Sequence, residues 1–193
     1  EDDVVDSLHE AIKLYLTKLS QSELEPEESH RCLEILTFTT NFEHIGDIID
    51  RNLMELAAKK LKTGVQFSDA GFAEIESFHG RIVASMQLAL SLFMRGDMTE
   101  ARQLIAEKTE LRAMEAATAE GHLPRVGRRL PQSPETSSLH LDVMRDLKRI
   151  HSHLAAVAYP ILEQAGELSP TRLRRPADAS PQAAGNAEVV PGH

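Results

Sequence analysis

Apolar residues return along this chain with helical spacing. Val5, Leu8, Ile12, Tyr15, Leu16 and Leu19 share one face of a helix, which predicts a first helix over about residues 3–19. After a turn at 22–26, Glu27 and Glu28 favour the positive end of a second helix. Lys59, Lys60 and Lys62 followed by Gly64 place its stop near Lys62, a basic last turn before glycine. At 1.5 Å per residue that helix is a rod on the order of 50 Å long. Ser68 reads as the N-cap of a third helix ending at Gly96. A fourth is expected over about 98–119, with Gly121, Pro124, Gly127 and Pro131 marking a broken segment after it. Ser133-Pro134-Glu135 opens a fifth that should reach about Ala165 and kink near Pro160.

Proline placement supports five helices. The chain has nine prolines, yet none between Glu27 and Gly121, and a proline inside a helix costs about 3 kcal/mol. The expected class is therefore all-α. From Gly166 onward the composition turns to Pro, Ala, Ser and Gly, which predicts a disordered tail over 166–193. Arg172, Arg174 and Arg175 there are too few to specify a lipid surface.

Composition narrows the function classes. The 193 residues suffice for one domain or two small ones, and the formal charge of −9 disfavours nucleic acid as a partner. A lone cysteine, Cys32, excludes a disulfide framework and a cysteine zinc site, and is expected as a small buried thiol. The near-apolar run from Ile82 to Met94 is interrupted by Ser85, Gln87 and Ser91 and is too short to span a bilayer. The chain opens on Glu1 rather than Met, so a piece of a longer protein is expected. Walker loops, nucleophile elbows and dinucleotide-type glycine patterns are absent.

The chemistry concentrates in two acidic ladders. Glu43-His44-Ile45-Gly46-Asp47 and Asp142-Val143-Met144-Arg145-Asp146 both read acid-x-x-x-acid, 99 residues apart, each inside a long helix. Residues four apart lie about 5–6 Å from one another on one helix face, where like charges repel. Such a pair becomes useful when a hard cation bridges it, though a single pair is most often a solvated face. Glu43 and Asp47 flank the stripe of Phe38, Phe42, Ile45, Ile49 and Leu56; Asp142 and Asp146 flank Leu139, Val143, Leu147, Ile150 and Leu154.

The stretch Phe42-Glu43-His44-Ile45-Gly46-Asp47-Ile48 resembles the Glu-Arg-Ile-Gly-Asp helix motif of PhoU-like proteins, and Asp2-Asp3-Val4-Val5-Asp6 resembles the acidic start of their preceding helix. Ser137-Ser138-Leu139-His140-Leu141-Asp142, with Arg145-Asp146-Leu147-Lys148-Arg149-Ile150, is similar to the variant in PhoU-like domains at the C-terminus of bacterial sodium/phosphate cotransporters. The resemblance covers about residues 2–163. It implies tandem antiparallel three-helix bundles: a first repeat over 1–65 lacking its first helix, and a second over 66–165.

It also implies a cytoplasmic-face regulator of phosphate uptake that binds a divalent or ferric ion (Fe, Zn, Mg or Ni). Carried over position by position, Glu43 and Asp47 serve one metal site, with Asp2 and Asp6 as additions, and Asp142 and Asp146 serve the other. The implied partner is a transmembrane phosphate transporter, on the same polypeptide or another, or a second copy of the chain. Three departures stand out. The missing first helix leaves an apolar face on the first two helices; Lys108 and Arg112 replace Asp2 and Asp6 in the second repeat; and Arg149 is placed to pair with Asp146.

Two other readings stay open. Glu27-Glu28-Ser29-His30 and Glu76-Ser77-Phe78-His79 both contain Glu-x-x-His, the motif of ferritin-like di-iron bundles. A metal-free helical interaction module, with both ladders solvated, is the other. His44 and His140 lie one and two residues from the nearest acid of each ladder, where helical side chains point about 100° or more apart, and are expected as surface or partly buried residues.

Overall fold

The computed structural model describes residues 2–127 and 134–167. Its elements are α1 (Asp2–Leu19), α2 (Pro26–Asp47), a π-helical segment (Ile48–Leu53), α3 (Met54–Thr63), α4 (Asp69–Arg95), α5 (Met98–Gly127), α6 (Pro134–Ala156) and α7 (Ala158–Gln164). Because α2, the π segment and α3 run on without a turn, and α6 runs into α7 across Val157 alone, these elements form five rods. The described residues contain no strand. The expected all-α class is observed.

Local chemistry sets most of the ends. Glu25 and Glu28 form a reciprocal capping box ahead of Pro26, with the Glu25 amide donating to Glu28 Oε2 at 3.0 Å. Ser68 Oγ accepts the Gly71 amide at 3.1 Å, the expected cap of α4. Gly64 and Gly96 close their helices in the left-handed region, both at φ 67°, which costs glycine no Cβ clash. Pro160 has no amide for the Ala156 carbonyl and crowds it, so the fifth rod gives way one turn earlier, at Val157.

Two expectations shift. Helix α5 continues through Gly121 and Pro124 to Gly127, past the break expected after 119. The packing that holds α5 lies earlier, at Ala101, Leu104 and Leu111, and a proline near the far end removes one hydrogen bond without dislodging those anchors. The second rod is not uniform either. In the π segment the Met54 amide bonds the Ile49 carbonyl, five residues back, and the wider turn alters the phase of the stripe. Ile48 is buried, while Ile49, expected on the core face, is 43% exposed. The disordered-tail reading and the three tail arginines fall, beyond residue 167, outside the described residues, as does the Ser133 cap.

Helices α4, α5 and α6 pack on one another, α7 lies against α5, and α2 with the π segment lies along α6. Phe78, Leu92, Leu104, Leu111 and Leu154 are fully buried, each worth about 2 kcal/mol or more of transfer free energy. Ile45 and Ile48 join the same cluster from the second rod, so the core runs across the 64–68 turn without interruption. Helix α1 is attached differently. It packs on α2, and only Leu16 is buried; Val4, Leu8 and Tyr15 remain 59–66% exposed, as does Leu33 on α2 at 62%. Cys32 is half-buried along the α1–α2 groove rather than enclosed.

Candidate functional site

Gly46 brings the first acidic group together. A Cβ there would stand 3.0 Å from Asp2 Oδ1 and 3.8 Å from Val5 Cγ1, so glycine lets the start of α1 lie against α2. Asp2 thereby comes within electrostatic reach of Asp47 and Asp50, with Asp6 beside it on α1. The Asp2 carboxyl is held above its ordinary value, first by loss of hydration and then by Asp6, Asp50 and Asp47, with Arg51 opposing. Oδ1 of Asp2, of Asp6 and of Asp47 are each shielded from water without an aligned hydrogen bond. The nearest cation is Arg51, whose guanidinium lies 3.1 Å from Asp47. The Glu43 carboxylate meets His44 Nδ1 at 2.7 Å.

The Asp2 and Asp6 oxygens have no donor, and Asp47 Oδ1 has only the unaligned Arg51 contact; desolvated carboxylate oxygens of this kind are the donor type a hard cation takes. Among the described residues no three His, Cys, Asp or Glu side chains already stand as a closed ligand set. An ion would have to draw Asp2, Asp6 and Asp47 inward.

The second ladder is built otherwise. Asp142 pairs with Arg145 at 2.9 Å. Asp146 is buried and accepts from Arg149 at 3.0 Å and from Asn52 Nδ2, across from the π segment, at 3.3 Å. Arg145 adds a longer contact to Asp146 at 3.8 Å. Lys108, expected in this neighbourhood, instead donates to the Tyr159 hydroxyl at 3.0 Å. Asp142 and Asp146, carried over as a second metal site, thus each meet an arginine donor, and Asp146 an asparagine amide as well.

Between the second rod and α6 lies an open cleft of about 420 Å³, lined by His44, Asp47, Arg51, Asn52, Arg149 and His153. The π turn places Arg51 and Asn52 on it. Asn41 Nδ2 donates to the Thr37 carbonyl at 2.7 Å, which fixes the amide's orientation. Asn41 Oδ1 then accepts from His153 Nδ1–H at 2.9 Å. Burial holds the His153 imidazole below its ordinary pKa, assisted by His44 and Arg149 and opposed by Glu43. The two imidazoles meet edge to face, centroids 5.1 Å apart.

Sequence reasoning did not single out Arg51 or Asn52. A signal existed: His44, Asp47 and Arg51 recur at helical spacing on one rod, and Arg149 and His153 stand one turn apart on another. Of the other histidines, His140 is buried with Nε2 3.1 Å from the Gly71 carbonyl and 3.4 Å from Glu74, fastening the start of α4 to α6. His151 is buried in the core, and its pKa is lowered to about 4 by burial, then by Lys108 and Arg81. The di-iron pattern does not assemble. Glu76 and His79 are both exposed on α4, Glu27 is exposed in the first turn of α2, and His30 pairs with Glu34 at 3.2 Å.

Similarity to known proteins is found over most of the chain. It is 40% identical over 162 residues, 84% of its length, to a Salmonella typhimurium protein named "Putative inorganic phosphate export protein YjbB". It is 38% identical over 165 residues, 86% of its length, to the Escherichia coli K12 protein of the same name. The chain spans about 30% of the length of these relatives. No family model and no solved structure matches it. Among the described residues no helix is long and apolar enough to cross a membrane.

Proposed function

We propose that this chain is a PhoU-like regulatory domain of a membrane phosphate carrier, non-catalytic and acting at the cytoplasmic face. The observation that carries the reading is the similarity over more than four-fifths of the chain to relatives named for inorganic phosphate export. Those names make outward movement of phosphate the direction to test first. Sodium coupling, implied by the cotransporter resemblance, is the companion expectation.

Metal binding belongs to the first acidic group alone. Asp2, Asp6 and Asp47 would hold the ion, and their all-oxygen character favours magnesium or ferric iron over zinc or nickel. A bound ion would neutralise the patch and lend α1 the attachment that its thin apolar contact with α2 supplies poorly.

The test is an exchange. This chain replaces the matching segment of the Salmonella relative, and radiolabelled phosphate efflux is followed with and without sodium. Efflux near the parent level, lost when an unrelated helical bundle of equal length is substituted, supports the reading. Equal efflux from both exchanges overturns it.

A further inference from the structure

We propose that the cleft between the π segment and α6 binds orthophosphate directly, through Arg51, Arg149 and Asn52 as donors and His44 and His153 as acceptors. This deepens the functional reading above and rests on it for the choice of anion.

The donors are held for use. Arg149 donates one of its five N–H groups to buried Asp146 at 3.0 Å, and Arg51 stands in ion-pair range of Asp47 at 3.1 Å without an aligned hydrogen bond, so both planar forks keep donors suited to phosphate. Asn52 is braced by the same Asp146. A π turn carries no helix-stabilising advantage over α geometry, and such segments concentrate at functional sites. Here the π segment carries both Arg51 and Asn52 to the cleft wall.

The acceptors give the cleft its selectivity. His153 Nδ1–H is committed to Asn41, and His44 Nδ1 lies 2.7 Å from the Glu43 carboxylate. With Nδ1 so committed, the neutral form of each ring offers an Nε2 lone pair to a hydroxyl donor. Orthophosphate at neutral pH carries P–OH donors as well as anionic oxygens. Sulfate carries only acceptors, and meets two lone pairs and the Asp47 carboxylate with nothing to donate. The two arginines oppose a bare cation at the same place.

Calorimetry on the full chain at pH 7, with inorganic phosphate and then sulfate, tests this. Phosphate is expected to bind at least about tenfold more tightly than sulfate. Arg51→Gln, at an exposed position, should weaken phosphate binding by about tenfold or more. His153→Phe should narrow the phosphate-to-sulfate ratio. Circular dichroism certifies that each variant is folded, and Arg149→Gln paired with Asp146→Asn supplies a second probe that leaves no buried charge unpaired. Equal affinity for both anions, no measurable heat with phosphate, or zinc binding at His44 and His153 without phosphate binding each overturns the proposal. Displacement of phosphate by phosphatidate vesicles, as opposed to indifference to them, would overturn the assignment to the free ion. Efflux by the exchanged transporter with no phosphate heat on the chain removes this site and leaves the regulatory reading standing; heat without efflux does the reverse.

Discussion

The two acidic ladders share their spacing and differ in everything around it. At Asp142 and Asp146 the carboxylates are answered by Arg145, Arg149 and Asn52, and Asp146 is 1% exposed. At Asp47 a single exposed arginine answers, while Asp2 and Asp6 crowd in from α1 with unpaired oxygens. One ladder is a finished ion-pair network that ties the π segment to α6. The other is an unfinished one. The spacing of acids on a helix thus states where charge lies, and the neighbouring helix decides whether that charge is structural or available.

The sharpest way to break this contrast is to remove one arginine from each ladder. Arg149→Gln leaves buried Asp146 with only the Asn52 amide and the distant Arg145 and should cost roughly 2–3 kcal/mol in urea unfolding, whereas Arg51→Gln should cost less than about 1 kcal/mol. Equal losses would mean that the two ladders play the same part.

Acid separates the regions by sign. His151 in α6 has a folded pKa of about 4 against an ordinary 6.5, so the unfolded chain binds the extra proton between those values. Stability should therefore fall by roughly 2–3 kcal/mol as pH drops from 6.5 to 4, and His151→Phe should remove that loss. Asp2 acts oppositely: its folded pKa is raised, so its repulsion is relieved as pH falls through that raised value. Asp2→Asn should relieve the same repulsion at neutral pH, visible as a higher thermal midpoint.

Cations provide a smaller test. Magnesium at about ten times its dissociation constant should stabilise the chain by about 1.4 kcal/mol, a rise of a few degrees in the midpoint. Asp6→Asn should abolish that rise and Asp142→Asn should leave it intact. The smallest effect is expected from Gly46→Ala. Its helix-propensity gain of about 1 kcal/mol is offset by displacement of Asp2, so net stability should change little while the magnesium response disappears.

The legibility of the chain follows the range of the interactions involved. Ser68, Gly64, Gly96 and the Pro160 break act within a turn or so of themselves, and each is marked by residue type alone. The π segment is not: nothing in Ile48-Ile49-Asp50-Arg51-Asn52-Leu53 breaks a helical pattern, and the Asn52–Asp146 contact that accompanies it spans 94 positions. The placement of Glu43 was likewise unreadable, since its partner is decided by a side-chain rotation toward His44 rather than by helical phase. Arg149 shows the intermediate case. Its pairing with Asp146, three residues away, was legible, but the burial that makes the pair structural comes from α2 and α4 packing on α6.

By itself the sequence determined the helices, most of their ends, and the positions of the acids, because helical periodicity and capping are local and repeat every few residues. Tertiary structure alone decided which acids meet donors and which meet one another, and it gathered Arg51, Arg149, His44 and His153 around one cleft. The reason is physical: a carboxylate's environment is set by whatever lies within a few ångströms of it, and in a bundle of long rods those neighbours come from distant parts of the chain.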